Sequence, residues 1–470
     1  MKTIFYKPHN AFAADAIPFY HNGEFYIYYL QDFRDAANHG DGISWYLLKT
    51  KDFVNYEEMG EVLPCGNEDE QDLRVYTGCV FEHGGKFYIF YTGHNDRNIP
   101  KGIPQEKIML AESDDLLHWR KRERILLEPP AFVEKHDFRD PFVFFDGERY
   151  NMLLAARYLN GPFNRKGVTL CAVSDNLYDW TVLEQPFYAP NKYFTHECPD
   201  RFVEGEYEYL LFSEFSDVFR THYRYRKLGS ESWITPVDDV FDNRAFYAAK
   251  TVSDGKRRFL IGWIPTRNED KDYGYWHWGG ALTVRELAQN SDGTLRARCY
   301  DAKADFYKES LQTELDFTLG NVYGDSRSVM LSSAEGFAAC LFETGLQGDF
   351  MLQFDFSIDK QGEFGIIFKS DKQLNNCYKL RFIPAQNKIV FDREPRNCCD
   401  NVQMPELERY FVCKAGVKHS CKLFVGGECF ELYVDDCVAL SGRAIDFKET
   451  HAGFFASECN ARVMDIIVKK

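Results

Sequence analysis

The 470-residue chain contains no run of about 18 apolar residues, so no helical membrane span is expected. Its first residues, MKTIFYKPHNAFAADAIPF, hold a lysine and scattered apolar side chains but no continuous apolar stretch of the kind a secretory leader needs. Positive charge is short: 56 Lys and Arg against 72 Asp and Glu leave a formal net charge of −16. Nucleic acid and anionic membrane would be repelled over most of such a surface, and neither is expected as a partner. The 14 cysteines include no CxxC pair and no regular spacing. Many sit in strand-like runs such as GVTLCAVS and HSCKLFV, which suits reduced core thiols and a cytoplasmic location better than a disulfide framework. Long helical periodicity is missing as well, which excludes a parallel α/β architecture.

What the chain does have is a globular balance of 45% hydrophobic and 27% charged residues, with aromatics at 16%. Its length calls for two or three domains. Aromatic-rich strand pairs joined by glycine-bearing turns recur five times: IPFYHNGEFYIYYL, VYTGCVFEHGGKFYIFYTG, DPFVFFDGERYNMLLAAR, CPDRFVEGEYEYLLFSE and FYAAKTVSDGKRRFLIGWI. After each of the first three comes another strand leading to a Ser/Thr-x-Asp-type turn and an aromatic, as in LLKTKDFVNYEEM, MLAESDDLLHWRKRE and LCAVSDNLYDWTVLE. The unit returns about every 50 to 65 residues, the period of a four-stranded propeller blade. An all-β fold is therefore predicted, with a five-bladed β-propeller over residues 1–300, a linker over 301–311 (DAKADFYKESL) and a C-terminal β-sandwich over 312–470.

In such a propeller the first strand of each blade begins beside a central funnel, and acidic residues stand at three of those strand starts: Asp15 in AADAIPFY, Asp140 in FRDPFVFF and Glu197 in THECPDRF. An Asp-Pro pair taken alone is an ordinary turn. Three carboxylates converging on one funnel repel one another and raise at least one pKa, a cost that points to catalysis. Trp45, Trp276 and Trp278 are candidates either for the aromatic core or for stacking on a sugar ring. His196 and His277 read as hydrogen-bonded neighbours, because no His/Cys/carboxylate cluster has zinc-like spacing. Neither a catalytic metal nor a cofactor is expected.

Taken in this order, the motifs resemble glycoside hydrolase family 32, over nearly the whole chain and in a divergent form. The resemblance implies a nucleophile at Asp15, a transition-state stabiliser at Asp140 in its Arg-Asp-Pro, and an acid/base at Glu197 in its Glu-Cys. Trp45, YTGC at Tyr76 to Cys79, Asp242 with FYA at Phe246 to Ala248, Gly262-Trp263, and WGG…VREL from Trp278 to Leu287 match further positions. Substrate contacts are thereby expected from Trp45, Tyr76, Arg139, Asp242 and Trp278. The family's Asn-Asp-Pro-Asn-Gly reads Ala14-Asp15-Ala16-Ile17-Pro18, and Leu30 stands where a Gln is common. Both changes fall beside the subsite of the cleaved sugar.

The implied activity is release of terminal β-fructofuranosyl residues from sucrose or short fructo-oligosaccharides by a retaining double displacement. That chemistry needs one carboxylate at the anomeric face and one protonated carboxyl at the leaving oxygen, because the transition state resembles an oxocarbenium ion. Two alternatives remain open. One is an inverting furanosidase or pyranosidase of the related propeller families, acting on arabinose- or xylose-containing glycans. The other is a glycan-binding protein that has lost turnover.

Overall fold

A computed structural model describes residues 1–346, 348–396 and 407–470. Among them, α-helix is confined to Ala36–His39 and Asp301–Ala304, and no helix is long and apolar enough to cross a membrane. The described cysteines are all free, and all but Cys65 and Cys437 are buried or nearly so; Cys398 and Cys399 lie outside the described residues.

The chain divides into two compact units. The first, Met1–Val240 with Tyr247–Trp263 and Trp278–Leu295, is a five-bladed β-propeller. Blade I comprises Phe12–His21, Glu24–Asp32, Ser44–Thr50 and Tyr56–Leu63. Blades II and III repeat the antiparallel four-strand order from Arg74–His83 to Arg120–Lys121 and from Val133–Phe145 to Thr181–Val182. Blade IV has three strands, Glu197–Glu204, Tyr207–Glu214 and Arg220–Lys227, edged by single bridges at Ile234 and Val240. Blade V runs from Tyr247–Ser253 through Arg258–Arg267 and Trp276–Gln289 to Leu295–Arg298. Pairing of Ala13 with Gly280 and of Tyr6 with Leu282 joins the first blade to the last, so the ring leaves no open edge there.

Local chemistry explains the repeat. Asn22-Gly23 and Gly84-Gly85 are two-residue hairpin turns, with φ of 49° and 84° in the first and 60° and 76° in the second. Left-handed backbone at both positions matches the twist of the flanking strands. The Ser/Thr-x-Asp-type signal is a second recurring device. The hydroxyls of Thr50, Ser113 and Ser174 each accept from the two backbone N–H groups that lie two and three residues ahead. Each turn then places one buried apolar residue, Phe53, Leu116 or Leu177, at positive φ. An aromatic three residues on closes the turn by donating to that residue's carbonyl: Tyr56 to Phe53, Trp119 to Leu116, Trp180 to Leu177.

The second unit comprises Phe241–Phe246, Ile264–His277 and Arg296–Lys470. It is a β-sandwich in which Ser328–Glu343 pairs along His451–Lys469, and the Phe354, Phe356, Phe364, Phe382 and Phe454 rings pack in its core. This unit differs in extent from the 312–470 expected. The 301–311 stretch lies within it: Lys303 is fully buried against Glu431, and the Tyr307 hydroxyl donates to the Val425 carbonyl. Two earlier segments also belong to it. Arg443 donates to the Ile264 and Pro265 carbonyls, and Asp272 accepts from Tyr378 and Arg393.

Candidate active site

Each blade's first strand pairs with its neighbour and slips in register near its start, the blade III strand a second time opposite Ala156 and Tyr158. The slips fall between Ala14 and Ile17, between Tyr76 and Gly78, opposite Leu153 and Ala155 where Arg139 and Asp140 lie, between Glu197 and Asp200, and between Tyr247 and Lys250. In four of the bulges a residue with a side chain takes positive φ: Asp15 (34°), Asp140 (58°), Cys198 (50°) and Ala248 (49°). Bulges of this kind re-aim side chains, and left-handed backbone at such residues costs of order 1–3 kcal/mol each. In the remaining bulge Gly78 is required by space, since a Cβ there would lie 1.9 Å from the Phe90 carbonyl oxygen.

The bulges deliver their side chains to one cavity of about 490 Å³. Asp15, Tyr76, Arg139, Asp140, Glu197 and Trp278 all line it, together with Glu106, Asp137, Thr77 and Tyr247. Asp15 is held at both oxygens by neutral donors, the Thr77 hydroxyl at 2.8 Å and the Trp263 indole N–H at 2.9 Å. Asp140 accepts from the Cys198 backbone N–H at 2.8 Å. Glu197 receives Arg139 Nη2 on Oε1 at 3.0 Å and the Tyr247 hydroxyl on Oε2 at 2.5 Å. Arg139 is shared further, with Nη1 at 2.9 Å from Asp137 and 3.2 Å from Glu106, and Nε at 3.8 Å from Asp140.

Five carboxylates against one lining arginine set the electrostatics. Burial pushes Glu197 up to about 7; Arg139 and Tyr247 oppose the rise, while Asp140 and Asp15 add to it. Asp15 rises to about 6 for the same reason, with its hydrogen bonds and Lys250 holding it back. Asp140 is also raised by burial, against the pull of Arg139. Glu106 goes the other way, because Arg139 and His94 outweigh its burial. Glu197 is thus held above Asp15, so the two carboxyls differ in proton affinity, and a glycosidic cleavage needs one carboxyl of each kind.

Two expected contacts lie elsewhere. Trp45 is fully buried in the blade I core, its indole N–H 3.3 Å from the Tyr76 carbonyl, so the ring packs between strands and is not a cavity wall. Asp242 belongs to the second unit and spends its carboxylate on the backbone N–H groups of Asn243 and Ser441. Trp276 stacks under Arg267, 3.6 Å from the ring centre, and His277 faces Asn268. His196 is fully buried against Thr169, and burial pushes its pKa down to about 3.

Other contributors lack a distinctive sequence signal. Lys250 is buried and donates to the carbonyls of Gly78 and Pro199, which brings a cation beneath the carboxylates from within an otherwise apolar strand pattern, FYAAKTV. Glu106, in IPQEKIML, carries no local mark at all. Outside the cavity, among the described residues, Asp316, Glu343 and His451 have ligand atoms within 4.8 Å of one another. There His451 Nε2 is 2.9 Å from Asp316, whose carboxylate also pairs with Lys372 at 2.8 Å.

The family model described as glycosyl hydrolases family 32 N-terminal domain matches residues 6–298. A sucrose-6-phosphate hydrolase of Zymomonas mobilis subsp. mobilis is 28% identical over 286 residues, covering 56% of this chain and 54% of that protein. A raffinose invertase of Escherichia coli is 24% identical over 304 residues, covering 59% and 60%. The chain thus matches little more than half the length of these curated relatives. Among solved structures, fructan 1-exohydrolase IIa of Cichorium intybus superposes with a TM-score of 0.74 at 15% identity, over 99% of this chain and 97% of that one. Since the family model covers more than half of its length, the chain belongs to glycoside hydrolase family 32.

Proposed function

We propose that the protein is an exo-acting β-fructofuranosidase that releases terminal fructose from sucrose or short fructo-oligosaccharides with retention of configuration. The observation that carries this reading is the convergence of Asp15, Asp140 and Glu197 on one cavity, where burial raises Asp15 to about 6 and Glu197 to about 7. Relatives named for sucrose-6-phosphate, raffinose and fructan cleavage support the same substrate class.

In the first step the Asp15 carboxylate attacks the anomeric carbon of the fructosyl unit, and Glu197 gives its proton to the departing glycosidic oxygen. The bond to the leaving sugar breaks as the fructosyl-aspartate ester forms. Water then enters on the same face, and Glu197, now a carboxylate, takes its proton while the ester C–O bond breaks and Asp15 is restored. Asp140 faces the positive charge that develops on the ring, and its own fixed contacts to Cys198 and Arg139 require no rearrangement. Largely buried free thiols and a small, imported substrate suit a cytoplasmic enzyme.

The test is fructose release from sucrose, 1-kestose, inulin and levan, with aryl arabinofuranosides and xylosides alongside, by the wild type, Glu197→Ala and Asp15→Ala. Losses of at least about a hundredfold in both variants are expected of such residues. Cleavage of a pentoside alone would overturn the substrate assignment and leave the carboxylate chemistry in place. Sugar binding without cleavage would remove the enzyme assignment.

A further inference from the structure

One wall of the cavity continues outward as exposed aromatic rings. Phe215, 42% exposed, lines the cavity. Its ring centre is 5.3 Å from that of Phe194, which lies 5.2 Å from Phe163, and Phe163 is 69% exposed. Water-facing phenyl rings in a row are costly unless something covers them.

The row is also rigidly built from below. Arg157 has no exposed surface and stands 3.3 Å from the Phe194 ring centre and 5.1 Å from that of Phe163. Its guanidinium donates to the carbonyls of both, Phe194 at 2.7 Å and Phe163 at 3.1 Å. Glu134 at 2.7 Å and the cavity residue Asp137 at 3.4 Å balance its charge. The Phe194 N–H is held by Ser216 at 3.0 Å. Rings fixed in this way lose little freedom when a ligand lands on them, and the same arginine joins the row to the acid network of the cavity through Asp137 and Arg139.

We propose that Phe215, Phe194 and Phe163 form a stacking track for the leaving-group side of an oligosaccharide, so that fructosides longer than sucrose are the preferred substrates. The proposal rests on the β-fructosidase reading and adds chain length to it. Continuity with the cavity selects the occupant. A sugar chain whose terminal unit sits at Asp15 leaves past the rim, and the apolar faces of phenyl rings suit the C–H faces of sugar rings.

Steady-state kinetics on sucrose and on nystose, a neutral tetrasaccharide ending in fructose, test it with wild type, Phe163→Ala and Phe163→Trp. Phe163 is chosen because it lies on the surface and outside the cavity. The expected result is a preference for nystose of about tenfold in kcat/KM, on the scale of one good aromatic contact. Phe163→Ala should remove most of it through KM, Phe163→Trp should retain it, and sucrose turnover should stay unchanged in both. Equal kcat/KM on the two sugars, or a Phe163→Ala effect that is absent or the same on both, overturns the track while leaving the fructosidase reading intact. If the wild type cleaves neither sugar, the functional reading itself falls and the track with it. Sedimentation velocity on the same variants covers the remaining occupant: a dimer that Phe163→Ala dissociates, with nystose kinetics unchanged, assigns the rings to a second copy of the chain and overturns the proposal.

Discussion

The Tyr247 hydroxyl sits 2.5 Å from Glu197 Oε2 while Arg139 holds Oε1 at 3.0 Å, so each oxygen of the proposed acid/base has its own donor. Both donors favour the ionised carboxylate, and burial outweighs them. Tyr247 is therefore a brake on the proton affinity of Glu197. Replacing it with phenylalanine deletes one hydrogen bond to a charged group, and the alkaline limb of the kcat/KM profile should move upward by about one pH unit. A general loss of rate with an unmoved limb would show that the hydroxyl only supports packing.

The wild-type profile itself follows from the two carboxyls. Asp15 must be ionised to attack, so activity falls as pH drops through about 6. Glu197 must be protonated, so activity falls as pH rises through about 7. A narrow bell centred between those values is expected for kcat/KM on sucrose. Because the two groups interact, the limbs report the pair and not either residue alone. A profile flat from pH 5 to 9 would contradict the assignment.

The same burial acts on stability, with a sign that can be checked. Glu197 is raised from an ordinary 4.5 to about 7, so between those values the folded chain keeps a proton that the unfolded chain gives up. Stability from this group is fully present below about 4.5 and is lost as pH rises through about 7, in all about 3 kcal/mol. Glu197→Gln removes the charge and should therefore be more stable than wild type at pH 8, with the gap closing at pH 5. Thermal melts at the two pH values decide it; a larger gap at pH 5 would reverse the sign.

How much of this could be seen in the chain depends on the range of the physics involved. The blades were legible because each is built by short-range chemistry: Asn22-Gly23 and Gly84-Gly85 dictate hairpins, and Thr50, Ser113 and Ser174 restart the same turn with the same hydroxyl. Asp15, Asp140 and Glu197 stood out because they break strand-like runs at equivalent positions. Trp45 shows the limit. A tryptophan in an alternating strand faces either the cavity or the interblade core, and only packing with Tyr28 and Leu63 settles that it is core. Its replacement by alanine should cost about 3–5 kcal/mol. Asp242 and the segments 241–246 and 264–277 illustrate the same limit at larger scale. They lie inside the blade repeat, yet their partners are Ser441, Arg443 and Arg393, more than a hundred residues away.

The 301–311 stretch gives the clearest test of that larger-scale difference. A linker would tolerate substitution, whereas Lys303 and Glu431 are both without exposed surface and in direct contact. Lys303→Met leaves the Glu431 carboxylate buried without its ammonium partner, a loss on the order of 3–5 kcal/mol. The double change Lys303→Met with Glu431→Leu removes both charges and should recover most of that, because the desolvation of the pair offsets much of its attraction. Urea unfolding of the two variants beside wild type separates the cases. Wild-type stability for Lys303→Met would return the stretch to the role of a linker, and a double variant as weak as the single would mean that shape, not charge, fixes this contact.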